Sequence, residues 1–227
     1  MCGRYSIVVD GKKLAQQIPF LNVAEDLRPN YNVAPTQTGY VITNEAPNEL
    51  SEFKWGLVPF WAKDRKIGAR MINARAESVE DKPSFRAPVR KRRCLVVADS
   101  FYEWKRHGKE KIPFRIHRPD DTPLLFAGIW EKWDKENADD PLFTYSIITT
   151  EPNKEMSYVH NRMPMVLPHP EQWEQWLHAE KLDEALDVLR TPADGTLDMY
   201  RVPKDVGNVR NNGPELHQAV EENLPLP

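Results

Sequence analysis

Cysteine and glycine are scarce in this chain, and what they are too few to build narrows the field. Two cysteines, Cys2 and Cys94, cannot make a disulfide framework or a multi-cysteine zinc site, and such sparse use points to a reducing compartment. The ten glycines never come closer than the six positions between Gly207 and Gly213. G-x-G-x-x-G needs glycines two apart and the P-loop needs them five apart, so both phosphate-cradling loops are absent. None of the six histidines forms H-E-x-x-H. No apolar run approaches the ~20 residues of a spanning helix, and the longest, 123–130, is the length of a strand. The opening Met-Cys-Gly-Arg-Tyr-Ser is not a basic region followed by an apolar stretch, so no secretory signal is expected. A nucleotide-driven enzyme, a zinc hydrolase of the usual kinds and a membrane protein all drop out. No metal or cofactor is expected, and the chain reads as a soluble protein of the cell interior.

What is present is a foldable composition: 227 residues, 40% hydrophobic and 29% charged, enough for one large domain or two small ones. Net charge is −3, but its distribution is uneven. Residues 1–118 hold 22 Lys and Arg against 13 Asp and Glu, whereas residues 119–227 hold 9 against 21. A basic first half is what a nucleic-acid groove requires, and it is equally what a solvated basic face looks like.

There is no internal repeat, low-complexity tract or Gly/Ser linker, and the 20 prolines are scattered, which favours short elements joined by rigid turns. β-Branched and aromatic runs predict strands at 4–9, 39–43, 50–57, 70–76, 93–98, 101–105, 113–117, 124–130 and 143–149. Helices are expected at 11–18 (capped by Asp10), 83–91, 153–159, 170–177 and 181–189, with Trp173, Trp176 and Leu177 on one face. The pattern predicts one α+β domain over 1–227 with a curved or barrel-like sheet, and a C-terminal tail from about residue 220.

Cys2 is the most informative position. Once Met1 is removed it carries a thiol and an α-amine on adjacent carbons, with reference pKa values of ~8.5 and ~7.7–8.0. An aldehyde meeting that pair can form a Schiff base that the thiol closes into a thiazolidine; the other use of such a residue is amidase-type catalysis. An incidental Cys2 is the plain alternative, and Cys94, in Cys-Leu-Val-Val-Ala, reads as core. In 71–77 alternation puts Asn73, Arg75 and Glu77 on one face, lining either solvent or a site. Glu103, in Ser-Phe-Tyr-Glu-Trp-Lys, is either a partly buried carboxyl suited to general acid–base work or an exposed edge residue. His160 follows a helical stretch, whose C-terminus alone can account for a histidine. Trp55, Phe60 and Trp61 lie beside Lys63, Arg65, Lys66 and Arg70, a mixture of aromatics and cations that suits single-stranded nucleic acid, although tryptophans are more often core.

Together these segments resemble a known family. Cys-Gly-Arg-Tyr at 2–5, Tyr-Asn-Val-Ala-Pro-Thr at 31–36, Trp-Gly-Leu-Val-Pro at 55–59 and Asn-Ala-Arg-Ala-Glu at 73–77 are similar to blocks of the SOS-response-associated peptidase (SRAP) family. So are Phe-Tyr-Glu-Trp at 101–104, His-Asn-Arg-Met-Pro at 160–164 and Val-Gly-Asn-Val-Arg-Asn at 206–211. The blocks keep the family's order across residues 2–211. Two positions depart from it: Ser100 stands where glycine is commoner, and Phe60 where a smaller residue is commoner.

The resemblance implies a bifurcated, partly barrel-like, mostly antiparallel sheet flanked by helices. It implies a monomeric abasic-site sensor, cytoplasmic and nucleoid-associated if the source is bacterial, that crosslinks to ring-opened abasic sites in single-stranded DNA, with single/double-strand junctions at stalled forks as a further target. By the same resemblance Cys2 forms a thiazolidine after Met1 is lost, self-cleavage being one route to that loss. Asn73 would position the Cys2 backbone and amine, Glu103 would shuttle protons, and His160 would hold and open the deoxyribose. Arg4, Arg75 and Arg162 would contact phosphates and Trp61 would stack on or wedge beside bases. Strand cleavage by β-elimination would be the side reaction. The rivals are a cysteine peptidase pairing Cys2 with His160, and a non-covalent single-strand-binding module.

Overall fold

The computed structural model of the protein describes residues 2–23, 27–135 and 139–220. Among them the strands are β1 (Tyr5–Ile7), β2 (Asn30–Val33), β3 (Thr38–Thr43), β4 (Ser51–Trp55), β5 (Asn73–Arg75), β6 (Arg93–Ala98), β7 (Ser100–His107), β8 (Glu110–His117), β9 (Leu124–Trp133), β10 (Leu142–Thr150), β11 (Met163–Pro164) and β12 (Asp198–Arg201). The helices are α1 (Gly11–Gln17), α2 (Arg86–Lys91), α3 (Lys154–Ser157), α4 (Pro170–His178) and α5 (Leu182–Leu186). One sheet has the order β12-β8-β7-β1-β2 and is antiparallel throughout. In the other, β10, β4, β3, β6 and β9 form a ring that closes because β9 pairs back onto β10. β4 and then β5 run parallel to successive stretches of β10, and β11 pairs antiparallel with its end, so the sheet forks there. This is the α+β, bifurcated and barrel-like architecture the sequence predicts.

Strand β6 shows why the ring forms. Its Arg-Cys-Leu-Val-Val-Ala run is buried at every position, as β-branched residues covered on both faces should be. Cys94, Val96 and Ala98 join a core between the sheets with Tyr5, Phe101 and Tyr145. Leu95 and Val97 join a second core, where α4 lays down Trp173, Trp176 and Leu177. The indole N–H of Trp176 donates to the Cys94 carbonyl at 2.9 Å. Helix starts are set by side chains: Asp10 accepts the Lys12 N–H at 2.8 Å, and Asn153 accepts the Met156 N–H at 3.1 Å.

Several elements differ from expectation. The expected strand at 70–76 shrinks to β5, because residues 65–70 and 76–78 form 3-10 turns. β2 goes unrecognised because its two asparagines read as turn residues, yet Asn32 serves as a hydrogen-bond hub for a distant segment. β12 completes the sheet edge by pairing with β8. β7 and β8, expected to stop at 105 and restart at 113, instead meet in a hairpin with a Gly108–Lys109 loop. Gly108 sits at φ +59°, the left-handed region such a tight loop demands.

Ser100, one of the two departures from the family pattern, takes part in a polar cluster across β1, β7 and β8. Its hydroxyl bonds Ser6 Oγ at 2.5 Å and receives Arg115 Nε at 2.8 Å, while Arg115 Nη2 reaches Asp99 at 2.9 Å. His217 lies at the edge of this cluster. Burial, with the Arg115 charge assisting, lowers its pKa to about 4. The unfolded chain therefore binds a proton below pH ~6.5 that the folded protein resists. Stability should be full above that pH and fall by roughly 3 kcal/mol at most as pH drops to about 4. Urea unfolding at pH 7 and pH 5 checks this, and His217→Gln should flatten the difference.

Candidate active site

The N-terminal segment enters the fold beside β7. Tyr5 faces Phe101 in register, and the last backbone bond of the pair runs from Tyr102 N–H to the Arg4 carbonyl at 2.9 Å. Beyond that point β7 is bordered by β8 alone. Glu103 sits where β1 runs out, and Cys2 is close enough for the Glu103 charge to act on its thiol.

Cys2 is fully buried. Burial, then the Glu103 carboxylate, pushes its thiol far above the ordinary range, so the sulfur rests as a neutral thiol. Asn73 fixes the residue: its Nδ2 donates to the Cys2 carbonyl at 2.7 Å. The buried Oδ1 of Asn73 has no hydrogen-bond partner among the described residues, an acceptor held beside the Cys2 backbone. Trp55 holds Asn73 in turn, its indole donating to the Ile72 carbonyl at 2.9 Å. Gly56 follows at φ +123° and packs backbone-to-backbone on Gly68, which no side chain would permit. That contact accounts for the glycine of the Trp-Gly-Leu-Val-Pro block.

Glu103, 4% exposed, and His160 line one open pocket of about 430 Å³ with Trp104, Arg106, Lys111 and Gly207. His160 arrives on the turn between α3 and β11, its N–H bound to the Met156 carbonyl at 2.8 Å. His160 Nδ1 is held by the Arg162 backbone, 3.1 Å from its N–H and 3.3 Å from its carbonyl, which fixes the ring's position beside Glu103 in the pocket. Gly207 is brought in by Asn32, whose Nδ2 donates to the carbonyls of Asn208 and Asn211 at 3.0 and 2.9 Å.

The four side chains named for chemistry thus converge: Asn73 on Cys2 by a hydrogen bond, Glu103 on Cys2 by charge, and His160 on Glu103 by a shared pocket. The four named for DNA contact fare differently. Arg75 is exposed. Trp61 is 45% exposed beside Phe60 at 53%, on the loop after β4 and outside the pocket lining. Arg4 is buried, and its Nη1 bonds Asn32 Oδ1 at 2.7 Å and the Val206 carbonyl at 2.6 Å. Arg162 grips Glu77 with both Nη atoms, at 2.7 and 3.0 Å, and the Thr149 carbonyl at 2.6 Å. That fork holds the Glu77 carboxyl below its usual range. Arg162 therefore clamps the His160 turn in this structure, although 73–77 as a strand would have kept Glu77 merely alongside Asn73.

Sequence reasoning missed Arg106 and Lys111. The run Arg-His-Gly-Lys-Glu-Lys carries the signal, since its glycine is a hairpin loop that sets the two cations opposite each other. Met1 and its removal, and the tail from residue 221, lie outside the described residues. Among the described residues, no three His, Cys, Asp or Glu side chains gather to hold a metal ion, and no helix is long and apolar enough to cross a membrane.

Comparison with known proteins gives a consistent picture. Residues 1–209 match the family model described as SOS response associated peptidase (SRAP). The chain is 44% identical over 226 residues to the abasic site processing protein YoqW of Bacillus subtilis, covering 96% of this chain and 100% of that one. It is 31% identical over 231 residues to the abasic site processing protein HMCES of Gallus gallus, covering 87% and 68%. A crystal structure of a Bacteroides thetaiotaomicron protein superposes with a TM-score of 0.86 at 28% identity, covering 97% of this chain and all of that one.

Proposed function

The chain belongs to the SOS response associated peptidase family, and from that premise we propose that it processes abasic sites by capturing them covalently through Cys2 in single-stranded DNA. The relatives named above as abasic site processing proteins support the substrate. The observation that carries the chemistry is the Asn73–Cys2–Glu103 cluster, whose Glu103 lines the open pocket it shares with His160.

The chemistry follows from the groups in place. An abasic deoxyribose is mostly a cyclic hemiacetal, and only its open form exposes the C1′ aldehyde. His160 protonates the ring oxygen as the C1′–O bond breaks, while the C1′ hydroxyl gives its proton to water and becomes the aldehyde carbonyl. With Met1 removed, the Cys2 amine lies beside the Asn73 amide, whose open Oδ1 accepts its N–H and aims its lone pair. The amine adds to C1′, the carbinolamine loses water with a proton supplied by Glu103, and an imine results. The Cys2 sulfur then adds to the imine carbon while its proton passes by way of Glu103 to the nitrogen. The C–S bond closes a thiazolidine and no oxidant is consumed. Because the resting thiol is held neutral by burial, the carboxylate that takes its proton must be close, which is where Glu103 stands. Ring closure removes the imine before β-elimination breaks the strand; strand cleavage is the side reaction of the same intermediate. Arg75 and Trp61, both exposed, would meet the strand on either side, and one protein molecule would suffice for the reaction.

Intact-mass measurement after incubation with an abasic oligonucleotide tests the reading. The expected product is a heat-stable 1:1 adduct of protein lacking Met1 with the oligonucleotide, less one water, and none with an intact strand. A protein that keeps Met1 and still forms the adduct at Cys2 would refute the amine's role. Turnover of a generic peptide substrate without any adduct would favour the peptidase reading instead.

A further inference from the structure

The β7–β8 hairpin sets two cations across from each other at the pocket that holds Glu103 and His160. Arg106 and Lys111 are directly opposite in the antiparallel register, a juxtaposition that is destabilising for like charges. Both are exposed and both line the pocket that holds Glu103 and His160. Neither meets a carboxylate within ion-pair distance among the described residues, and the nearby Glu110 is drawn instead to Lys204 at 3.6 Å. The neighbouring Lys105 is occupied, its Nζ lying 3.0 Å from the centre of the Tyr158 ring. Meanwhile Arg4 and Arg162 spend hydrogen bonds inside the fold. The pocket thus carries two cationic side chains, directly opposite each other in the hairpin and without an ion-pair partner among the described residues.

We propose that Arg106 and Lys111 form a clamp for one phosphodiester of the DNA strand entering the pocket. The inference rests on the capture reading for its ligand, but its physical basis is independent: like charges directly opposite across a hairpin repel, and an anion bound between them turns that repulsion into attraction. A phosphodiester supplies one full charge with two free oxygens, one for the planar guanidinium and one for the ammonium. The guanidinium fixes the direction of the backbone, and the clamp sets how far along the pocket the adjoining sugar lies from His160 and Glu103. Loss of the clamp should weaken non-covalent association and, because the sugar is then less well placed, slow capture at saturating DNA as well.

The test measures binding of an intact single-stranded oligonucleotide across a salt series, alongside capture of an abasic one. Arg106→Gln should flatten the logarithmic salt dependence by about 0.7, the slope of one contact to a single strand. Lys111→Glu should weaken binding further, and it should also raise the melting temperature, because it sets opposite charges across the hairpin. A variant that is more stable and yet binds worse cannot be explained by damage to the fold. Lys109→Gln, on the loop and outside the pocket lining, should leave the slope unaltered. Unchanged slopes in both clamp variants would overturn the proposal even if the wild type captures abasic sites normally. A wild type that binds with the clamp-dependent slope but forms no adduct would sink the capture chemistry and leave the clamp standing.

Discussion

Cys2→Ala is expected to abolish the stable adduct altogether, and Cys2→Ser to convert it into a reversible one. The alanine variant keeps an amine that can condense with the aldehyde, but it has no second nucleophile to close the ring. The serine variant offers a hydroxyl that ionises far less readily than a thiol, so its imine should persist and undergo β-elimination. Strand cleavage should therefore rise in both variants as the stable adduct disappears. Borohydride should trap the amine-linked species from either one, and heat should release it when borohydride is omitted. The measurement is denaturing gel electrophoresis of labelled abasic oligonucleotide, with and without borohydride. Equal heat-stable adduct from wild type and Cys2→Ser would exclude sulfur from the linkage. Because Cys2 is buried among apolar side chains, Cys2→Ala also leaves a small cavity, and circular dichroism should show the fold retained.

Much of the fold was legible where local chemistry and tertiary environment agree. β6 is read correctly at both ends because β-branched residues run without a break between charged or polar neighbours. α1 is read correctly at its start because Asp10 is a true cap, whereas α3 begins one residue later than expected because Asn153 is its cap. β2, β11 and β12 were not legible because their pairing is decided by distant partners. β11 is two residues long and exists only because β10 extends past β9 to receive it. The sequence also cannot show that the ring closes, since β9 pairs with both β6 and β10.

The site divides along the same line. Cys2, Asn73, Glu103 and His160 lie within short blocks whose residue types advertise chemistry, and the fold brings these blocks together. Whether Glu103 would be exposed or buried could not be read from its own strand; the answer depends on β1 crossing β7 as far as Tyr102 and no further. The cations were harder, because a charge in a sequence carries no sign of what neutralises it. Arg162, expected to contact phosphate, has its fork on Glu77, 85 positions away, a contact that its own segment does not announce. Arg106 and Lys111 look like solvated loop charges until the hairpin sets them face to face.

Glu103→Gln is expected to slow adduct formation by about 10²–10⁴-fold, the usual worth of a positioned proton donor and acceptor, or about 3–5 kcal/mol on the barrier. The amide keeps the shape of the carboxyl and removes its titrating proton. Affinity for an intact single strand should change little, since Glu103 is 4% exposed and the strand meets the exposed cations first. β-Elimination should fall along with capture, because both pass through the imine whose formation Glu103 assists. The Cys2 thiol should become easier to ionise once the neighbouring negative charge is gone. That gain cannot offset the missing proton acceptor, because burial remains the larger influence on the sulfur. His160→Ala should act at a different step: it should slow capture most when a cyclic sugar must be opened, and much less when a small open-chain aldehyde is supplied. Single-turnover rates for both variants on an abasic oligonucleotide and on the aldehyde separate the two roles. Equal slowing of both reactions in His160→Ala would assign the histidine to imine chemistry or to the turn it stabilises. A wild-type rate in Glu103→Gln would leave the thiol's proton to solvent and remove Glu103 from the mechanism.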